Sequence, residues 1–235
     1  MSPGASGTVR SVAELMEEAS RAILSTAYFD AETLCLKAMS RARASSDFDM
    51  MARIAMPLQE ARRQRRHEAI DAGRVTTLRD LTLRDSGPGC FLLEPPLVGA
   101  DARVVRDLLF RRHVPALVLT REPVTSKGRW PIVGVGIGQF QPVVARVQVA
   151  PPPGDTPTPD WLLAAQEALG DAAILKVKPE WPADHRVDDM WEYLEAVPDH
   201  EKLSQAFAAT CREAAAMPQR SAPRRRSPFD DPFSF

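Results

Sequence analysis

The sequence predicts an α-rich α/β protein. An antiparallel helical hairpin and a third helix come first, then a small, mostly parallel sheet of three to four strands with a βαβ unit and C-terminal helices, and last a disordered tail. Three observations carry this. Of 21 prolines only Pro3 and Pro57 precede residue 87. Proline breaks helix interiors, so residues 11–74 can be almost all helix and the remainder must be mixed. Two short apolar runs, Cys90-Phe91-Leu92-Leu93 and Ala116-Leu117-Val118-Leu119, flank a segment of helical period, the pattern of buried parallel strands around a crossover helix. From Met217 onward Pro, Arg and Ser replace almost all aliphatic residues, which reads as disorder. The chain therefore divides into a disordered start (1–10), a helical region (11–74), a small α/β domain (75–217) and a disordered tail (218–235).

The elements follow in order. Ser11 is a good N-cap, with Glu14 at capping-box spacing, and Val12, Leu15, Met16, Ala19 and Ile23 recur at helical period up to residue 24. A second helix over 30–44 carries Ala31, Leu34, Cys35, Ala38 and Met39 on one face; the short connection makes the two antiparallel neighbours. A third, from about Asp47 to Ala72, turns Phe48, Met51, Ile54, Ala55, Leu58 and Ala61 inward, is kinked by Pro57 and is closed by Gly73. From Val75 the period changes. An edge strand (75–84), the strand at 90–93, a helix over 100–113 with Val104, Val105, Leu108 and Leu109 as its inner face, and strands at 115–120, 131–138 and 142–150 are expected, the last at a sheet edge because Pro142 has no donor. Gly134, Gly136 and Gly138 lie inside a strand, where glycine marks a bulge or close packing and not a dinucleotide fingerprint. Pro151 to Pro157 form a stiff, extended connector. Thr158 caps a helix that starts on Pro159, and two further helices span 184–196 and 199–216, with Asp184 and Asp199 as their N-caps.

Length and composition narrow the function. The chain has 235 residues, 25.9 kDa, and a net charge of −1, so no global field recruits a polyanion; residues 1–74 carry +1, residues 75–217 −4 and the tail +2. Three distant cysteines, Cys35, Cys90 and Cys211, form neither a disulfide framework nor a zinc cluster, and point to a reducing compartment. The longest charge-free stretch, 130–145, is broken by Gly and Pro and too short to cross a bilayer. No apolar leader stands at the start, and the expected localisation is cytoplasmic. The Arg-rich, Lys-poor, Ala- and Pro-rich usage is that of a high-GC bacterial chain.

Tyr28-Phe29-Asp30-Ala31-Glu32, followed by Cys35 and Ala38, resembles the second half of a tetratricopeptide repeat. Small residues occupy the close helix crossing in that repeat, and Ala19, Ala31 and Ala38 stand at the matching spacing, with Leu15 at the position of the large residue. Cys35 replaces the usual aromatic, and Asp49 and Arg53 break a second repeat one period on. The resemblance covers about 60 residues, the length of one helical unit plus a following helix, and implies a protein-binding role. A single repeat cannot bury its own face, so it must pack on the downstream domain or on another chain.

Candidate chemistry is sparse. Ligands of open α/β sheets bind beyond the carboxyl ends of strands, which selects Glu94, Thr120, Arg121 and Lys127 as ligand-binding candidates, with Arg121 and Glu122 pairing at the surface as the plainer expectation. His185 with Asp189 lies at helical spacing, but the carboxylates there serve more simply as caps. Cys90 reads as a buried apolar residue. The run Arg62-Arg63-Gln64-Arg65-Arg66 is the sharpest charge feature. It is expected at a solvated or salt-bridged helix end, with Arg62, Arg63, Arg65 and Arg66 as a docking patch for an acidic protein as the sharper reading; nucleic acid is unlikely, because no aromatics interleave to stack on bases. Phe229, Phe233 and Phe235, beside Asp230 and Asp231 and after Arg224 to Arg226, resemble a short docking motif of the kind that ends single-stranded-DNA-binding-protein tails. The expected function is a non-catalytic protein–protein interaction or adaptor module acting on another protein. The alternative is a small-molecule or nucleotide-binding α/β domain. No cofactor, metal or catalytic residue is assigned.

Overall fold

The computed structural model describes residues 10–83, 87–136, 143–218 and Ser221. Among them the chain forms α1 (Val12–Leu24), α2 (Tyr28–Ala44), α3 (Phe48–Asp71), β1 (Val75–Leu78), β2 (Gly89–Leu93), α4 (Gly99–Arg111), β3 (Ala116–Arg121), β4 (Trp130–Val135), β5 (Val143–Val149), a 3₁₀ turn (Pro153–Asp155), α5 (Pro159–Leu175), α6 (Ala183–Ala196) and α7 (Glu201–Ala215). The α/β class and the order of helices, sheet and helices are those the sequence predicts. The tail with Phe229, Phe233 and Phe235, and residues 1–9, lie outside the described residues.

Local signals set most boundaries. The Ser11 hydroxyl accepts from the Glu14 N–H while the Glu14 carboxylate accepts from the Ser11 N–H, a closed capping box. Asp47 caps α3 through the Met50 N–H, and Thr158 caps α5 through the Trp161 N–H. Gly73, with φ of +66°, follows the end of α3 in the left-handed conformation that glycine adopts without a side-chain clash. The turns α1–α2 and α2–α3 have the same hydrogen bonds. Thr26 N–H donates to the Ile23 carbonyl and Ala27 N–H to that of Ala22; Ser46 N–H donates to Arg43 and Asp47 N–H to Ala42. Each is a Schellman closure, built on a positive φ at Thr26 and Ser46.

The sheet has five strands in the order β1-β2-β3-β4-β5. Pairings β1–β2 and β2–β3 are parallel, and β3–β4 and β4–β5 antiparallel, so parallel pairing extends only from β1 to β3. The helix α4 joins β2 to β3 as the βαβ crossover, and β5 is an edge, as Pro142 implied. Helix α4 packs over Phe91, Leu93 and Val118 on one face of the sheet. The opposite face, with Cys90, Leu92, Leu117, Leu119 and Ile132, joins a core cluster that includes Leu15, Ile54, Leu58, Leu169 and Phe207. Residues 11–74 and the α/β part therefore share one core, and the helical unit buries its face on the downstream elements.

Three details differ from expectation. The edge strand β1 ends at Leu78 and does not run on toward residue 84. The inner face of α4 is built on Val105 and Leu109, with Ala102 beside them, while Val104 is 54% exposed. Arg103 and Arg106 of the same helix also face the interior, where both line a cavity. The connector after β5 is not extended throughout: Gly154 and Asp155 both have positive φ and fold it into the 3₁₀ turn.

Candidate functional site

The sheet forks between β3 and β4. These strands pair only at Thr120↔Val133 and Arg121↔Ile132, while β4 stays paired with β5 as far as Val135, across a bulge that places Val144 of β5 as the extra residue. The segment 195–199, which joins α6 to α7, closes over the fork. Gly134 permits the approach: a Cβ there would stand 3.2 Å from Val197 Cγ2 and 3.5 Å from Ala196 Cβ.

Arginines from two helices hold this segment by its carbonyls. From α4, Arg106 donates to Glu195 O (3.0 Å) and Ala196 O (3.4 Å). From α3, Arg66 donates to Asp199 O (2.7 Å) and Arg62 to Pro198 O (3.4 Å). The 2.7 and 3.0 Å bonds carry most of this, since hydrogen bonds weaken toward 3.5 Å. Buried Glu32 answers the cations: its Oε1 accepts from Arg62 Nε at 2.8 Å and its Oε2 from Arg65. Arg66 also pairs with Glu167 (3.0 Å) and Glu201, and the Arg65 guanidinium lies over the rings of Phe29 and Phe110.

The run is salt-bridged, as one expectation had it, but the exposed docking patch is corrected. Arg62, Arg65 and Arg66 are buried and spent inside the molecule; only Arg63, paired with Glu60 at 2.9 Å, stays half-exposed. A buried guanidinium needs a carboxylate or carbonyl partner, and Glu32, Glu167 and segment 195–199 supply them. In α2 the balance lowers the Glu32 carboxyl: burial pushes it up, but Arg62 and Arg65 more than offset that and hold it below the ordinary carboxylate range. Asp199 behaves oppositely. Burial pushes its carboxyl above the ordinary value, despite Arg65, Arg62 and Arg106 and with Glu32 adding to the rise.

A cavity of about 30 Å³ lies in the fork. Its lining combines Arg103 and Arg106 from α4, Thr120 from β3, Gln166 from α5 and Asp199 with apolar residues of β3, β4 and α5. Gln166 is 2% exposed and Thr120 1%. Among the described residues neither end of the Gln166 amide, nor the Thr120 hydroxyl, nor Arg103 Nη1 has a hydrogen-bond partner. A second, shallower hollow of about 270 Å³ lies beside the start of α3 and the end of α7.

Of the four ligand-binding candidates only Thr120 reaches the cavity. Alternation along β3 sends Arg121 to the other face, where its Nε and Nη2 donate to Glu94 Oε1 at 3.0 and 2.8 Å and its guanidinium stacks on Trp130. Arg79 holds the other Glu94 oxygen at 3.0 Å. Glu94 and Arg121 thus satisfy each other. Arg121 pairs with Glu94, not Glu122, which binds Arg146. Lys127 sits exposed in the β3–β4 loop, away from the cavity lining.

The remaining candidates are structural. Cys90 and the other two cysteines are free and buried; burial pushes their thiols up, Cys90 to about 11 and Cys35 and Cys211 to about 12, so thiolate is scarce at neutral pH. The cap of α7 is His200, not Asp199: its Nδ1 accepts from the Leu203 N–H at 3.0 Å. Asp184 lies inside α6 after the N-cap Pro182, accepting from the N–H groups of His185 and Ser221. Among the described residues no cluster of His, Cys, Asp and Glu could hold a metal ion, and no helix is long and apolar enough to cross a membrane.

Sequence reasoning missed Arg103, Arg106, Gln166 and the role of Asp199. Gln166 left a signal: it stands four residues after Leu162 and three before Leu169, on the inner stripe of α5. No protein-family model, curated protein or solved structure matches this chain.

Proposed function

We propose that this chain is a non-catalytic interaction protein whose first three helices form a tetratricopeptide-like unit that recognises another protein. The observation that carries the reading is the repeated turn. Helices α1, α2 and α3 are joined by two Schellman closures with the same bonding, the regularity of a helical-repeat stack. Leu15, Ala19, Ala31 and Ala38, the residues of the repeat-like spacing, are each at most 1% exposed, which supports the reading. The engagement of Arg62, Arg66 and Arg106 with backbone carbonyls and of Glu32 with Arg62 and Arg65 supports a role in holding the fold, and the thiols are buried.

Site-specific photocrosslinking in cells tests this. A crosslinker replacing exposed Glu17 or Lys37 is expected to capture one defined protein, whereas one at exposed Asp107 or Arg112 on the α4 side captures none. No captured protein, or equal capture at all four positions, overturns the reading.

A second reading, a small-molecule site in the α/β part, is favoured by one observation: the unpartnered Gln166 and Thr120 side chains in the fork cavity.

A further inference from the structure

We propose that the hollow between the start of α3 and the end of α7 is a docking site for the chain's own C-terminal segment, with Arg224, Arg225 and Arg226 as the groups it takes up. This goes beyond the adaptor reading and does not depend on it.

The hollow, about 270 Å³, has three carboxylates in its lining: Asp47 and Asp49 at the start of α3, and Asp184 of α6. Phe48, Ala214 and Met217 give it an apolar wall. Asp47 Oδ1 accepts from the Met50 N–H that it caps, at 3.0 Å. Among the described residues neither Asp47 nor Asp49 has an ion-pair partner.

The chain itself leads into this hollow. Met217, just past α7, is part of the wall, and Ser221 is half-buried with its N–H donating to Asp184 Oδ2 at 2.8 Å. Burial pushes the Asp184 carboxyl up, but the Ser221 backbone and hydroxyl bonds, with His185 beside them, hold it below its ordinary value. The segment that leaves α7 is therefore already seated on one of the three carboxylates. Arg224 stands three residues beyond Ser221, a span of at most about 10 Å. A tether this short gives an effective concentration on the order of millimolar, so contacts too weak to hold a separate peptide suffice.

Charge selects the part of the segment that docks. The start of α3 carries about half a positive charge and the end of α7 about half a negative one, so the helix ends offset each other and the carboxylates set the sign. Guanidinium groups bind carboxylates by paired, charge-assisted hydrogen bonds, and arginine stems can cover Phe48 and Met217 while their heads reach the acids. The same carboxylates repel Asp230 and Asp231. The hollow thus takes the basic half of the segment and not the half that carries Phe229, Phe233 and Phe235.

The test is paramagnetic NMR on the full chain carrying a nitroxide attached through Ser227→Cys. Cys35, Cys90 and Cys211 are buried, which directs the label to the introduced thiol. The amide signals of Phe48 and Ala215 are expected to lose most of their intensity relative to the ascorbate-reduced sample, while that of Leu117 in the sheet keeps its own. Asp49→Lys alone, or Arg224→Glu, Arg225→Glu and Arg226→Glu together, is expected to restore the signals. Combining the two sets, which exchanges the charges, is expected to bring the loss back. Should Asp49→Lys disturb α3, the arginine variant, which leaves α1 to α7 untouched, carries the comparison. No loss at Phe48 and Ala215 in the parent, or a loss unchanged by reversing the arginines, overturns the proposal. A loss that appears only when nitroxide and isotope label are on different molecules gives the site to a second copy, and overturns docking within one chain.

Discussion

Glu32 faces two guanidinium groups in a place where water does not screen them. Removing one side of a buried ion pair leaves uncompensated charge and costs about 3–5 kcal/mol, so Glu32→Gln is expected to lower stability by that order at pH 7. Because Arg62 and Arg65 hold the Glu32 carboxyl below its ordinary value against the upward push of burial, its contribution is present above the ordinary carboxylate range and is lost as pH falls through the folded value. The gap between parent and variant should close in acid. Asp199 gives the opposite sign. Burial raises its carboxyl, with Glu32 adding to the rise and Arg65, Arg62 and Arg106 opposing it, so its ionisation destabilises the fold as pH rises from the ordinary aspartate value through the raised one. Asp199→Asn keeps the backbone carbonyl that Arg66 holds. It is expected to raise the urea midpoint at pH 8 and to match the parent near pH 3; a variant less stable at pH 8 would show that the ionised carboxylate is a net stabiliser there.

At the scale of elements, α5 and α7 meet at a glycine and a histidine. Gly170 lies inside α5, and a Cβ there would come within 2.1 Å of His200 Cγ. His200 is fully buried and caps α7 through Nδ1, with Nε2 3.3 Å from both Glu167 and Asp171. A neutral imidazole that accepts at Nδ1 carries its proton at Nε2, facing those carboxylates. The ring cannot retreat without breaking the cap. Gly170→Ala is therefore expected to cost about 1–3 kcal/mol by overpacking, although alanine is the better helix former. In a His200→Ala background the same substitution should become nearly neutral or favourable. A double-mutant cycle by urea denaturation measures this coupling, and additive effects would contradict it.

For the whole molecule, the shared core and the arginine network join the first three helices to the sheet. Leu15 and Phe207 belong to one apolar cluster, and Arg66 of α3 reaches Glu167 of α5 and Glu201 of α7. The full chain should unfold in a single cooperative transition. Residues 1–74 expressed alone should lose it, because α3 would expose Leu58 and leave Arg66 without Glu167, Glu201 and the Asp199 carbonyl. Circular dichroism and calorimetry of the fragment check this; a sharp transition near that of the full chain would show that the helical region folds independently.

Local chemistry was legible in the sequence. Ser11 and Thr158 cap their helices, α3 starts beside Asp47 and Gly73 ends it, because caps and turns depend on residues a few positions apart. The apolar runs of β2 and β3 and the α/β class followed from periodicity, and β5 as an edge strand from Pro142. Of the residues that the rule about strand ends selected, Thr120 alone lines the cavity. The partners of charged residues were not legible. Arg62, Arg65 and Arg66 follow Leu58 and Ala61 at helical spacing, on the stripe that faces inward, yet a basic run reads as solvated until Glu32, 30 residues before Arg62, and the carbonyls of 195–199 are seen beside it. The same distance in sequence hid the fork, while the cap by His200, only three residues from Leu203, was missed because Asp199 beside it is the commoner capping residue. What the sequence determined by itself is what neighbours along the chain decide: element type, capping and the apolar faces. What only the tertiary structure decided is which long-range partner satisfies each buried charge and which polar groups, Gln166 and Thr120 above all, it leaves without one, because burial and pairing depend on distances that no spacing along the chain encodes.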